Sequence, residues 1–395
     1  MSEFTNTSEL RANELAEYMF GLLRGENGSE LIEKHEIKTS KFIPHDILNA
    51  FDILIEKNVP IEDIKFVSNK LFNILYQTLL EYPTLDLTEN PFTALMVEDN
   101  KLITNKLKDT KEFIKKINAG VKPGLLNELI ARFEEIEKYI LHYTVIENVV
   151  FPKLESEWKH HLCVKVMWSF HDDIRRNIAK MIALLKSDEF DLKAFNTLSG
   201  LIFFNISTIV LREEKIIFPV MLETMPAEML ENMLDETVEI GLPYAQTKHK
   251  ASKVQPTFTS EDKIHLPTGV LSAEQFNMIF NHMPVDITYV DENDTVRFYS
   301  NPPRRIFPRT PAIIGRKVQN CHPPESVHVV NRIVESFKTG EKDVATFWFH
   351  MGPRFIMIQY FAVRDTNRNY KGVLEVSQEI TEIQQLEGDR KLLDW

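Results

Sequence analysis

Glu147-Asn-Val-Val-Phe151-Pro152-Lys-Leu-Glu155 returns later in the chain as Glu214-Lys-Ile-Ile-Phe218-Pro219-Val-Met-Leu-Glu223, each copy at the end of a long stretch with helical apolar spacing. Proline lacks a backbone donor and its ring meets the carbonyl four residues back, so each Phe-Pro is expected to close a helix. The phenylalanine then packs the last turn against a neighbour. An acidic side chain one turn before a buried aromatic is costly unless a cation meets it. Two matched helix ends carrying that cost are where the chemistry of this chain is to be sought.

Outward from this repeat, segments 91–118, 123–151, 161–186 and 192–218 carry helical periodicity, with a further helix over 221–240. Their connections are short, so 90–240 is expected to form an up-down four-helix bundle. Ahead of it, 10–82 is punctuated by Gly25-Glu-Asn-Gly28, Pro44 and Pro60 and reads as a smaller all-α unit without catalytic spacing. Residues 241–268 are polar, proline-containing and aperiodic, the pattern of a linker.

The pattern then changes to strands. Segments 286–290 and 296–299 flank a turn at Asp291-Glu-Asn-Asp294, 344–350 and 355–363 form a second pair, and 373–376 follows. With helices at 272–281 and 326–339, residues 269–380 are expected to form an α+β domain with an antiparallel sheet. The end, 381–395, reads as an amphipathic helix through Ile383, Leu386, Leu392 and Leu393, suited to dimerisation or docking.

Composition narrows the function classes. The chain has 395 residues, 43% of them apolar, and a net charge of −12 without a basic block, which disfavours nucleic acid or an anionic membrane as partner. Its start lacks the pattern of a secretory signal, and no run of 18 apolar residues occurs, so a cytoplasmic protein is expected. The two cysteines, Cys163 and Cys321, have no metal-finger spacing and are expected to be reduced. With 13 glycines in the whole chain, there is no phosphate-cradling loop, Gly-x-Ser-x-Gly or kinase signature.

A helical wheel sorts the polar groups of the repeat. With about 100° per residue, Ile146 and Val149 share the face of His142, whereas Glu147 lies roughly 140° away beside Tyr143 and Val150. His142 and Glu147 therefore do not suit one metal. Glu213 falls with Ile202, Ile209 and Ile216, and Glu214 with Phe203, Val210 and Ile217. His171 sits on the stripe of Val164, Met167, Ile178 and Ile182 and points into the core.

This arrangement of His before one Phe-Pro, a core His on the third helix, and Glu-Glu before a second Phe-Pro resembles the hemerythrin-like, HHE cation-binding family. The resemblance implies a bundle holding two non-haem irons through five histidines and two carboxylates, with His and then Glu four residues on before each Phe-Pro. Here Ile146 stands in the glutamate place after His142, and Ile209 in the histidine place before Glu213. No histidine occurs between His45 and His142, and Met167 and Arg175 flank His171. The nearest polar group of the first bundle helix is Asn100, with Glu98 and Asp99. His142, His171 and Glu213, flanked by Glu147 and Glu214, are the metal-ligand candidates for a mononuclear Fe, Mn or Zn site. The other reading is a metal-free core of hydrogen-bonded histidines with Ile146 and Ile209 filling the pocket.

Met283-Pro-Val-Asp-Ile-Thr-Tyr-Val-Asp, Arg304-Arg-Ile-Phe-Pro-Arg309, Gly315-Arg-Lys-Val-Gln-Asn-Cys-His-Pro-Pro324, Phe347-Trp-Phe and Tyr360-Phe-Ala-Val-Arg-Asp365 are similar to a PAS-domain family found attached to hemerythrin-like bundles. The first helical unit resembles the uncharacterised helical domain that precedes such bundles. The resemblance implies a cavity for haem, flavin or a small metabolite, with Cys321 and His322 as candidate cofactor-binding residues; His322 reads either as an axial ligand or as a turn-fixing histidine bonded to backbone. Tyr289, Tyr299, Trp348 and Gln359 are further candidates on the strands. The expectation is a sensory or signalling protein, not an enzyme, passing its signal to an unidentified protein partner and dimerising through the PAS domain or the last helix. The alternatives are a non-haem iron oxidoreductase handling oxygen or nitric oxide or repairing iron centres, and a metal-free scaffold.

Overall fold

Neither Phe-Pro ends its helix. In the computed structural model, which describes residues 2–38, 41–83, 85–120, 123–250, 263–266 and 268–388, each proline is instead preceded by one widened π turn. The Phe151 N–H bonds to the carbonyl of Ile146, and the Phe218 N–H to that of Glu213, five residues back in both cases. A regular turn would press the proline ring onto the carbonyl four residues back, and the wider turn opens that space. The chain therefore stays helical to Glu157 in the first copy and Thr224 in the second.

The chain divides into two compact units, Met1–Ser252 and Lys253–Trp395. The first contains α1 (Ser2–Leu23), α2 (Gly28–Lys34), α3 (Pro44–Glu56), α4 (Ile61–Glu81), α5 (Pro91–Ala119), α6 (Pro123–Glu137), α7 (Ile140–Val145), the π turn Ile146–Val150, α8 (Phe151–Glu157), α9 (Cys163–Leu185), α10 (Leu192–Arg212), the π turn Glu213–Ile217, α11 (Phe218–Thr224) and α12 (Ala227–Ile240). Starts are set by local chemistry. The Asn90 side chain accepts from the N–H groups of Phe92 and Thr93 with Pro91 as first helical residue, and Asp191 accepts from Lys193 and Ala194.

Helix α5 packs on α6, α6 on α9, α9 on α10, and α10 on α5. Helices α3 and α4 also lie against α9, and one apolar core runs without a break from Leu15 to Ala245. Residues 10–82 and 90–240, read from sequence as separate domains, thus share an interior. Polar ties cross it: the Cys163 N–H donates to Asp52 Oδ1 at 3.1 Å, and Lys65 Nζ meets Asp173 Oδ2 at 2.5 Å. Arg212 is buried, donates to Ser68 Oγ at 3.0 Å and Asn69 Oδ1 at 3.1 Å, and lies over the rings of Phe72 and Phe170. Phe151 and Phe218 are fully buried, which contributes roughly 1.5–3 kcal/mol for each ring.

Leu192–Thr224, counted through its π turn, is long and apolar enough to cross a membrane by length and composition, its most apolar 18-residue window having mean hydropathy 1.6. Asn205, Ser207 and Thr208 interrupt it, so it is not an unbroken run of 18 apolar residues.

The expected linker is structured at both described ends. The N–H groups of Tyr244 and Ala245 donate to Asp99, and the Tyr244 hydroxyl donates to the Glu135 carbonyl at 2.6 Å. Strands β1 (Lys263–Leu266) and β2 (Gly269–Ser272) pair antiparallel, so a hairpin lies where the linker reading placed coil. Residues 251–262 lie outside the described residues.

In the second unit, α13 (Ala273–His282) begins with a reciprocal cap between Ser272 and Gln275. It leads to β3 (Asp286–Asp291), β4 (Val296–Tyr299), α14 (Pro324–Thr339), β5 (Val344–Met351), β6 (Arg354–Arg364) and β7 (Tyr370–Glu379). The last five strands form an antiparallel sheet in the order β4-β3-β7-β6-β5. At Gly372 φ is +137° and a Cβ would stand 2.0 Å from the Val290 carbonyl oxygen, so glycine alone fits there. Of the expected last helix, the described part forms only a 3₁₀ turn at Ile383–Gln385; Leu392 and Leu393 lie outside the described residues.

Candidate functional site

Among the described residues, the site candidates fall in two places. In the first unit, His142 is fully buried between two carboxylates, with Nδ1 3.0 Å from Asp99 Oδ2 and Nε2 3.2 Å from Glu213 Oε2. Ionised carboxylates only accept, so this geometry places a hydrogen on both ring nitrogens. Burial by itself lowers the ring's pKa, but the Glu213 charge and the hydrogen bonds to Asp99 and Glu213 outweigh it and raise the pKa to about 9. Asn100 adds a donor to Glu213 Oε2 at 3.0 Å and accepts from the Tyr139 hydroxyl. Asp99 Oδ1 takes the Tyr244 and Ala245 N–H groups at 3.1 and 2.8 Å.

The other half of the repeat is assembled separately. His171 donates from Nδ1 to Glu147 Oε1 at 2.9 Å, and Arg175 donates to Glu147 Oε2 at 2.8 Å. Burial raises the Glu147 pKa, yet Arg175 and His171 outweigh it and hold the carboxyl below its ordinary range. Burial also lowers the His171 pKa, so its Nε2 is a bare lone pair. The cation required beside Glu147 is thus Arg175. Glu214 is half-buried, its pKa raised by burial and by Glu213, and it faces Asn100, apart from Glu147.

The structure therefore brings His142 to Glu213 and His171 to Glu147, and does not gather His142, His171 and Glu213 around one point. Among the described residues no three His, Cys, Asp or Glu side chains are grouped as a metal ion requires. The lone pairs of His142 are spent on protons shared with carboxylates, and Ile146 and Ile209 are buried at the matched places. These residues do not fit a two-iron centre. His171 Nε2, Tyr143 Oη and Glu213 Oε1 remain buried without a hydrogen-bond partner. The sequence reading names Asp99 only beside Asn100 and not among the site residues, although Met96, Asp99, Ile103 and Leu107 fall on one helical stripe and an acid within it is a readable signal.

The second place is a cavity of about 240 Å³ between the sheet and α14. Strand residues Val290, Phe347, Phe349, Ile358, Tyr360, Val373 and Glu375 share one face of the sheet by the observed register. Val329, Val330, Ile333 and Val334 of α14 close the other side, with Val318, His322 and Ser326 at one end. Tyr360 and Glu375 are cross-strand partners, and Phe347 meets the Tyr360 ring edge to face at 6.0 Å.

His322 lines this cavity and Cys321 does not. The Cys321 thiol instead reaches the Lys317 carbonyl at 3.6 Å. Tyr289, Trp348 and Gln359 lie on the opposite face by strand alternation, and the Tyr289 hydroxyl donates to the Lys371 carbonyl at 2.6 Å. His322 donates Nδ1–H to the Val318 carbonyl at 2.8 Å, the turn-fixing contact. The volume lies just below the roughly 300–1,000 Å³ of drug-sized sites. Glu375 was missed, yet an acid inside Val373-Leu-Glu-Val376 marks the strand.

The cysteines give a direct check on the fold. Cys163 is buried, and burial with the nearby Asp52 charge drives its thiol pKa far up, while Cys321 is partly exposed. A thiol reagent is expected to label Cys321 in the native chain about a hundredfold faster than Cys163. Equal native rates would contradict the packing of α3 on α9.

A five-stranded antiparallel sheet with a helix across one face and a mostly apolar cavity between them defines the α+β class of this domain. Residues 276–381 match the family described as PAS domain, and the second unit is a PAS domain. The chain is similar to a crystal structure of a C-terminal domain from Streptococcus mutans, at 35% identity over 32% of this chain and 97% of that one, with TM-score 0.31. It is also similar to a sensory box sensor histidine kinase from Vibrio cholerae, at 11% identity over 27% and 89% with TM-score 0.21. A PAS domain from Colwellia psychrerythraea is similar at 15% identity over 28% and 97%, with TM-score 0.23. No curated protein matches the chain.

Proposed function

We propose that this chain is a cytoplasmic sensory protein whose PAS domain receives a small molecule in the cavity under α14. The observation that carries the reading is the cavity itself: a mostly apolar chamber with His322, Ser326, Tyr360 and Glu375 among its walls, the composition of a small-molecule site. The helical unit is a hemerythrin-like four-helix bundle that passes the signal to a protein partner. Ligand-detected NMR with a fragment library tests the site on the full chain and on Val330→Trp, which fills the chamber. Fragments that bind the native chain and are lost in the variant support the reading. A folded native chain that binds no fragment contradicts it.

The bundle is read as a relic of an iron centre now held by shared protons. The support is that His142 spends both nitrogens on Asp99 and Glu213, with His171 committed to Glu147. Metal analysis of untagged chain is expected to give less than about 0.1 iron, manganese or zinc per chain, since ligation requires deprotonated nitrogen. A stoichiometric iron would instead favour the non-haem iron oxidoreductase, with His171 Nε2 and Glu213 Oε1 as its free donors.

A further inference from the structure

The polar groups of the PAS cavity are out of balance. A carbonyl only accepts, so the contact between His322 and Val318 fixes the ring hydrogen on Nδ1, and burial, which lowers the ring's pKa, keeps it neutral. Nε2 is then an acceptor with no hydrogen. Ser326 gives its hydroxyl hydrogen to the Pro323 carbonyl at 3.1 Å. Glu375 brings a carboxylate whose contact is Ser377 Oγ at a long 3.4 Å, and among the described residues no Lys or Arg forms an ion pair with it. The Tyr360 hydroxyl is the remaining donor. Glu375 is half-buried, and with the Tyr360 hydroxyl as a wall donor, a carboxylate at the edge of an apolar chamber is best met by a further hydrogen-bond donor, a positive one most strongly.

We infer that the cavity takes a small primary amine with an apolar body, its ammonium head set between Glu375 and His322 and its hydrocarbon among the valines of α14 and Phe347. This rests on the cavity being a ligand site and specifies the class of ligand. A carboxylate head is rejected by the charge of Glu375, and an alcohol satisfies one acceptor while leaving that charge unmatched.

Calorimetric titration of the full chain with 2-phenylethylamine and n-hexylamine, against the matching alcohols and carboxylates, tests the assignment. The amines are expected to bind tightest, and Glu375→Gln to weaken them about ten- to a hundredfold, the range of a charge-assisted hydrogen bond. The alcohols are expected to bind this variant as they bind the native chain. Alcohols or carboxylates binding as tightly as amines, or amines unaffected by Glu375→Gln, overturns the amine class and leaves the cavity reading standing. No binding by any of the six to a chain that is folded by circular dichroism removes the cavity reading and the amine class together.

Discussion

Replacing His142 by alanine is expected to destabilise the first unit by about 3–5 kcal/mol, the cost of removing one partner from a buried ionic cluster. Asp99, His142 and Glu213 are each 0% exposed, so the substitution leaves two carboxylates facing a cavity with no cation between them. Asp99 keeps two backbone donors and Glu213 keeps Asn100, which softens the loss without cancelling it. Urea unfolding followed by helical circular dichroism reads the effect. Adding Asp99→Asn and Glu213→Gln to the alanine variant is expected to recover at least half of it, because the repulsion is then gone. A loss below about 1 kcal/mol for His142→Ala would contradict a charged His142.

The same cluster gives a pH signature. The His142 pKa is raised from 6.5 to about 9 in the folded chain. A raised histidine stabilises fully below its unfolded pKa, and that stabilisation fades as pH climbs to the folded one. The native chain is therefore expected to lose on the order of 3 kcal/mol between pH 6.5 and 9 from this group. His142→Ala removes that slope.

The second large effect is expected at Arg175. Its side chain is 26% exposed, while the Glu147 it meets is 8% exposed, so Arg175→Met strands a buried carboxylate beside a neutral imidazole. A cost of about 3 kcal/mol follows. The acid limb checks the sign: Glu147 is held below its ordinary pKa, so its contribution is present above pH 4.5 and is lost as pH falls through the folded value. The variant is expected to show less of that acid loss. Replacing Glu147, His171 and Arg175 together by Leu, Phe and Met is expected to restore most of the stability, since a well-packed apolar set can equal a buried ionic one. If the triple variant is less stable than Arg175→Met alone, the cluster contributes more than mutual neutralisation.

Helices and strands were legible because their apolar spacing is long and regular; 296–299 was read with its observed ends, and 91–118 differs from α5 by one residue. The π turns were not legible. A single extra residue per turn barely alters the apolar stripe, and proline reads locally as a stop even where the preceding turn has widened to admit it. The partition of the helical unit's polar groups was half legible: the wheel separated His142 from Glu147, but pairing His142 with Asp99 depends on which face of α5 meets α7. In the PAS domain, alternation puts Gln359 and Tyr360 on opposite faces, and only the register with β7 decides that Tyr360 and Glu375 face the cavity. Cys321 beside His322 suggested a joint site, yet the two side chains diverge at the end of the 3₁₀ turn Val318–Cys321.

What lies among Asp99, His142 and Glu213, protons or a metal ion, separates the proposed signal-passing helical unit from the iron oxidoreductase alternative. Nitrogen-15 NMR of the histidine side chains in the full chain reads this directly, with His142→Ala supplying the assignment. At pH 7.5 both His142 nitrogens are expected to carry hydrogen and to titrate together near pH 9. A His142 ring with one unprotonated or metal-shifted nitrogen at that pH would contradict the shared-proton core.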